Sequence, residues 1–239
     1  MPRSRLVITV AIVVLAVAVG GFVVYDQVLR GDNVAALTLP TASSAPGTSA
    51  APAASFEGIV AGTWNVATGS TAGYRVREQL ASLSAESDAV GRTDAVTGSI
   101  TLETSGATTT LTAGSLSVDT TSITSDKSQR DNRLRREGLE TDTYPTATFK
   151  LTKPVVVPAV AMAGTASPVT LTGELTLHGM TKTVDIPAQA QLVNGTIQVA
   201  GSISFALSDY SMTAPNVGGV IISIADTGTL EFLVNFAKT

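Results

Sequence analysis

Two patterns of apolar residues divide the chain. From Leu6 to Tyr25 twenty residues run without a charge, whereas from Thr63 onward apolar and polar residues alternate in short stretches. The first pattern predicts a helix that is apolar all round. At 1.5 Å rise per residue it spans about 30 Å, the hydrocarbon thickness of a bilayer. The second predicts β-strands with one face turned inward.

The alternating part resolves into about eight strands. Tyr74, Val76 and Leu80 share one parity, as do Ile100 and Leu102. Leu111 and Ala113 share a parity that switches at Gly114 to Leu116 and Val118, which predicts a β-bulge there. Phe149 and Leu151 mark another strand, and Val169, Leu171, Leu175 and Leu177 the next. Val184 to Leu192 alternates most regularly, and Asn194-Gly195 after it predicts a two-residue hairpin turn, since both residues tolerate positive φ. Ile197 to Leu207 and Leu230 to Phe236 complete the set. Strands at hairpin spacing, each with one apolar face, imply a sandwich or an up-and-down barrel. Ser125 to Leu139 breaks the pattern: it lacks β-branched residues, has Asp126 near its start and Arg135-Arg136 near its end, and reads as one short helix.

Composition narrows the function. Thr and Val, both strand formers, are abundant, and only 14% of residues are charged. There is no cysteine, hence no disulfide framework and no thiolate metal site. Three of the 15 basic and two of the 19 acidic residues precede Glu57, leaving 12 against 17 in the remainder. An acidic domain does not suit nucleic acid, which needs a basic face against its phosphates.

Arg3 and Arg5 precede the apolar run, while the charges after it nearly cancel. The positive-inside rule then puts the N-terminus in the cytoplasm and the rest outside, as a single-pass membrane protein. A cleaved signal peptide is the alternative, but its apolar region is usually shorter and ends in small residues, whereas large residues follow Val24 here. Three regions result: an anchor over 1–30, a flexible Ala/Pro/Ser/Thr linker over 31–56 and a domain over 57–239. A free linker of roughly 24 residues reaches about 25–30 Å on average.

Several ordered blocks resemble the YceI-like family. They are GTWNV from Gly62, VTGSITL from Val96, SVDTTSITSDKSQRDNRLR from Ser117 continuing to YPTATFKL from Tyr144, LTGELTLHGMTKTV from Leu171, and finally FALSDYSM and GTLEFLV. The resemblance covers Gly62 to the C-terminus. It implies an eight-stranded antiparallel lipocalin-like barrel outside the cytoplasm, with an apolar interior that takes a polyisoprenoid or other lipid. It implies neither enzymatic activity nor a cofactor. Three positions depart from the family: Glu78 where a His is frequent, Gly138-Leu139 where aromatics are frequent, and Ser211 where Gly is common.

The expected interior lining is Tyr74, Val76, Leu80, Leu116, Phe149, Leu175, Leu177, Phe205 and Phe232. Alternation alone serves a filled core as well as an open tunnel, so a structural or interaction module of the cell envelope is the second reading. Arg130, Arg133 and His178 are candidate headgroup contacts. The bland readings are a solvated, salt-bridged helix face for the arginines and a hydrogen-bonded turn residue for His178. His178 is the only histidine, so neither a multi-histidine metal centre nor a nucleophile elbow with its base is indicated. Trp64 and Tyr144-Pro145 read as packing and turn residues. Asn194-Gly195-Thr196 also fits a glycosylation sequon.

Overall fold

A computed structural model describes residues 34–40, 60–80, 86–214 and 221–238, with the side chains of Leu80, Glu86, Ile221 and Ile222 excepted. The expected anchor over 1–30 lies outside the described residues, as do most of the expected linker and the 81–85 and 215–220 segments. Among the described residues no helix is long and apolar enough to cross a membrane.

Period-2 alternation produces strands throughout. They are β1 (Gly62–Val66), β2 (Thr71–Leu80), β3 (Glu86–Thr93), β4 (Val96–Ser105), β5 (Thr108–Asp119), β6 (Thr146–Leu151), β7 (Val155–Val157), β8 (Ser167–Leu177), β9 (Met180–Val193), β10 (Thr196–Ala206) and β11 (Ile221–Lys238). Eight of them close a ring in the order β1-β4-β5-β6-β8-β9-β10-β11, and β1 pairs back with β11. Every pairing is antiparallel. Closure leaves no free edge along that ring, which is how a barrel avoids edge-to-edge association. The expectation of an eight-stranded antiparallel barrel therefore holds, and the sandwich alternative falls.

The long β11 explains two of the three strands outside the ring path, β2 and β3. Its last residues pair with β1, from Trp64↔Lys238 to Val66↔Phe236, while its earlier part pairs with β2, from Thr71↔Leu233 onward. β1 and β2 thus share one side of β11, with a joint at Ala67–Ser70. β3 continues the wall beyond β2, and β7 pairs beside β5. The joint is fastened by Ser70, whose hydroxyl accepts the Asn235 N–H at 3.0 Å.

Two details differ from expectation. The β5 bulge falls at Thr112, since Thr101↔Ala113 is followed by Leu102↔Leu111. Gly114 lies beyond it, on the inner face against Ile100 and Leu151. The parity switch is real, but the extra residue belongs where the strand bends, and the glycine meets a packing need instead. The helix is also shorter: α1 covers Ser128–Arg133 and passes into a single wider π turn over Leu134–Gly138. Asp131, buried in its first turns, accepts the Ser125 N–H at 2.9 Å and the Ser125 hydroxyl at 2.6 Å, so its carboxylate takes over orphan donors before the helix. A second short helix, α2 (Ala159–Met162), had no strong sequence signal. The Asn194-Gly195 turn forms as expected, with φ of 51° and 73°.

The interior divides into two packed regions. At one end Trp64, Val234, Phe236, Leu102 and Leu151 pack with Val60 and with Ala161 and Met162 of α2, and fill the barrel. At the other, Tyr74, Leu175, Leu177, Ile123, Leu139, Tyr210 and Met212 gather under α1 and the His178-Gly179 turn.

Candidate functional site: the barrel interior

Eight of the nine expected lining residues face this interior, and the side chain of the ninth, Leu80, lies outside the described residues. Leu116 and Phe232 pack against the Trp64 end; Tyr74, Val76, Leu175, Leu177 and Phe205 belong to the α1 end; Phe149 touches both. The wall has a recurring device. Tyr74 is paired across strands with Gly91, Phe205 with Gly228, and Phe232 with Gly201. Phe149 leans over Gly173 in the same way. A Cβ on Gly91 would lie 2.3 Å from the Tyr74 ring, on Gly173 2.4 Å from the Phe149 ring, and on Gly228 2.8 Å from the Phe205 ring. Each ring therefore occupies the space that a neighbouring side chain would fill and lies along the wall. The resulting surface is apolar and aromatic, the usual chemistry of a small-molecule site.

Polar groups enter this interior on β2. Its inward parity is Ala72, Tyr74, Val76 and Glu78, so Glu78 continues the apolar face. Glu78 is 3% exposed and bonds Arg130 of α1, whose other guanidinium nitrogen bonds Asp126 and, at 3.2 Å, Ser125. Burial pulls the Arg130 guanidinium toward its neutral form, but the hydrogen bonds and charge of Glu78 and Asp126 outweigh it and hold the proton more tightly than usual. Burial likewise pushes the Tyr74 hydroxyl far above the ordinary phenol range; Arg130 opposes this, and Asp131, Glu78 and Asp126 add to it.

The three headgroup candidates have separate partners. Arg130 is committed to Glu78 and Asp126. Arg133 is half exposed, 4.0 Å from Glu137 one turn on. The His178 side chain is 8% exposed, at a left-handed turn position, with its ring 4.4 Å from that of Tyr144. Its Nδ1 lies 3.0 Å from the Tyr210 carbonyl; a carbonyl only accepts, so Nδ1 carries the proton in the neutral ring. Nε2 is 3.5 Å from Glu140, an ion pair only when the ring is protonated. Elsewhere in the basic run Lys127 lies 3.7 Å from Asp126, and Arg135 donates to the Thr121 and Ile123 carbonyls. Sequence reasoning named Glu78 only as a family departure; its parity on an apolar face was the signal that it points inward.

Among the described residues no group of three or more His, Cys, Asp or Glu side chains is arranged to hold a metal. A shallow groove of about 540 Å³ lies on the outer wall between Thr97, Ser117, Asp119 and Pro145. It is open, its exposed lining is mostly apolar, and it shares no residue with the interior.

The YceI-like domain model matches residues 64–236. Solved structures share the fold. A polyisoprenoid binding domain from Saccharophagus degradans, implicated in plant cell wall breakdown, is 24% identical, with a TM-score of 0.58 over 75% of this chain and 99% of that one. BcnA of Burkholderia cenocepacia is 16% identical, with a TM-score of 0.52 over 70% of this chain and 95% of its own. The Campylobacter jejuni YceI protein is 18% identical, with a TM-score of 0.50 over 62% and 85%. No curated protein matches the sequence significantly.

Proposed function

This chain belongs to the YceI-like family, and on that premise we propose that it is a membrane-tethered, extracytoplasmic binding protein that holds a polyisoprenoid or other amphiphilic lipid inside its barrel. The observation that carries the reading is the aromatic-on-glycine wall: Tyr74, Phe149, Phe205 and Phe232 lie along the barrel wall over neighbouring glycines. An eight-stranded barrel is about the size that holds one small ligand. The polyisoprenoid binding relative from Saccharophagus degradans supports the ligand class. The YceI-like fold and the polyisoprenoid binding relative support a binding role. The uncharged run Leu6–Tyr25 behind Arg3 and Arg5 supports the tether and its orientation.

A filled barrel acting as a structural module of the envelope is the second reading, favoured by the packed Trp64 end, where Val234 and Ala161 are fully buried. Native mass spectrometry of the full chain, purified from a membrane-containing source, separates the two. Lipid binding predicts a retained mass or uptake of polyprenyl and acyl probes. A barrel that stays empty and takes up neither probe overturns the proposal in favour of the filled core.

A further inference from the structure

Residues 34–40, VAALTLP, fall within the stretch expected to be a free linker, yet they lie against the outer wall of the barrel. The Val34 carbonyl accepts from Arg75 Nη2 at 2.7 Å, and the Ala35 carbonyl accepts from Arg92 Nη2. The Leu37 N–H donates to Glu231 Oε2 at 3.4 Å, and the Pro40 carbonyl accepts from Gln191 Nε2 at 3.5 Å. Leu37 and Leu39 are half-buried.

The wall is built to receive this segment. Outward positions of a barrel are ordinarily solvated, yet Val90, Glu231, Ala200 and Gln191 are all buried, with Glu231 at 3% and Gln191 at 5% exposure. These four form one diagonal. Val90 aligns through Arg75 with Thr229, Glu231 is on β11 itself, Ala200 aligns with Leu233, and Gln191 aligns through Gln198 with Asn235. From β3 to β11, from β11 to β10 and from β10 to β9 the buried position steps two residues along β11, which is the path of a chain crossing this wall obliquely. The charges balance beneath it: Glu231 lies 2.7 Å from Arg92 and 3.8 Å from Arg75, and Arg75 is 3.1 Å from Asp88. What remains are guanidinium and amide donors, matched to the carbonyls of an uncharged segment.

We propose that residues 34–40 are a strap that holds the barrel on the bilayer surface with its α1 end toward the membrane. The proposal rests on the reading of Leu6–Tyr25 as a membrane anchor. Eight residues lie between Tyr25 and Val34, and a flexible chain of that length has an average reach of about 14–17 Å. That is well short of the 25–30 Å of a free linker of roughly 24 residues. The strap runs toward Gln191, close to the Asn194-Gly195 turn, so the chain arrives from the α1 end.

The experiment uses the full chain in liposomes. Elastase cleavage, mapped by mass spectrometry, compares 34–40 with the Ala-rich 41–56 stretch in the same molecule. The strap predicts cleavage within 34–40 at least tenfold slower than within 41–56. It also predicts loss of that difference in Arg75→Ala/Arg92→Ala and in Leu37→Asp/Leu39→Asp, the second of which leaves every barrel residue intact. Equal cleavage of the two stretches in the wild-type chain overturns the strap. Because the sequence has no cysteine, single labels at Asn132→Cys in α1 and Ala107→Cys in the β4–β5 turn report on orientation. The label at 132 is expected to be quenched more strongly by a lipid-borne quencher, and equal quenching, or stronger quenching at 107, overturns the orientation. Loss of the chain from vesicles on alkaline wash overturns the membrane role while leaving strap protection intact, which separates a failed anchor from a failed strap.

Discussion

Tyr74 shows what one inward residue does to the whole barrel's pH response. Burial raises its hydroxyl above the ordinary phenol range, and the smaller rise at Tyr210 has burial as its first cause and Asp209 as its second. Above about pH 10 the unfolded chain releases these protons while the native chain keeps them, so stability is intact below that pH and falls as pH rises through it. Each group contributes at most about 1.4 kcal/mol per pH unit. Thermal unfolding between pH 8 and 11 should show this fall, and Tyr74→Phe should flatten it; an unchanged slope would show that Tyr74 ionises as freely in the fold as outside it. At the same scale, Ser211 occupies a left-handed conformation with φ of 55°, which accounts for glycine being common there in the family.

The Glu78–Arg130 pair links two elements, β2 of the wall and α1 over the mouth. Glu78 is almost wholly buried, and Arg130 is 15% exposed, so the pair is screened far less than a surface bridge. Arg130→Ala leaves a carboxylate unpaired inside the barrel and should cost about 3–5 kcal/mol. Replacing both partners, as Glu78→Leu with Arg130→Met, should be nearly neutral, because neither charge is then left to desolvate. Denaturant unfolding of the single and double variants measures the difference; equal losses would mean that α1 is held chiefly by Asp131, Ser125 and Arg135. Which elements exist was legible from periodicity. The pairing of Glu78 with Arg130 was not, since 52 residues separate them and neither local pattern refers to the other.

Over the whole molecule, Phe149 joins the two packed regions of the barrel. Phe149→Asp places a charge where both regions meet and removes the ring that lies over Gly173, so a loss of at least about 3 kcal/mol is expected. A melting temperature equal to wild type would show that the two ends are stabilised independently. The barrel also works as a surface: the diagonal of buried outer residues couples the wall to residues 34–40, which cover one side of it.

Much of this organisation could be read from the residues alone. Alternation set the face of each strand, because successive side chains in a strand point oppositely. Asn194-Gly195 set a hairpin because both positions accept positive φ, and the ordered motif blocks indicated the barrel. Eight lining residues, from Tyr74 to Phe232, follow from parity without knowledge of which strands are neighbours. Closure decided the rest. That β11 carries both β1 and β2 on one side depends on its length and twist, and the bulge at Thr112 depends on where that twist accumulates. The docking of Leu37 on Glu231 joins positions 194 residues apart. An uncharged Ala/Leu/Thr/Pro stretch looks like a linker by composition; only the folded wall, with its buried carboxylate and paired guanidinium groups, turns it into a bound strap.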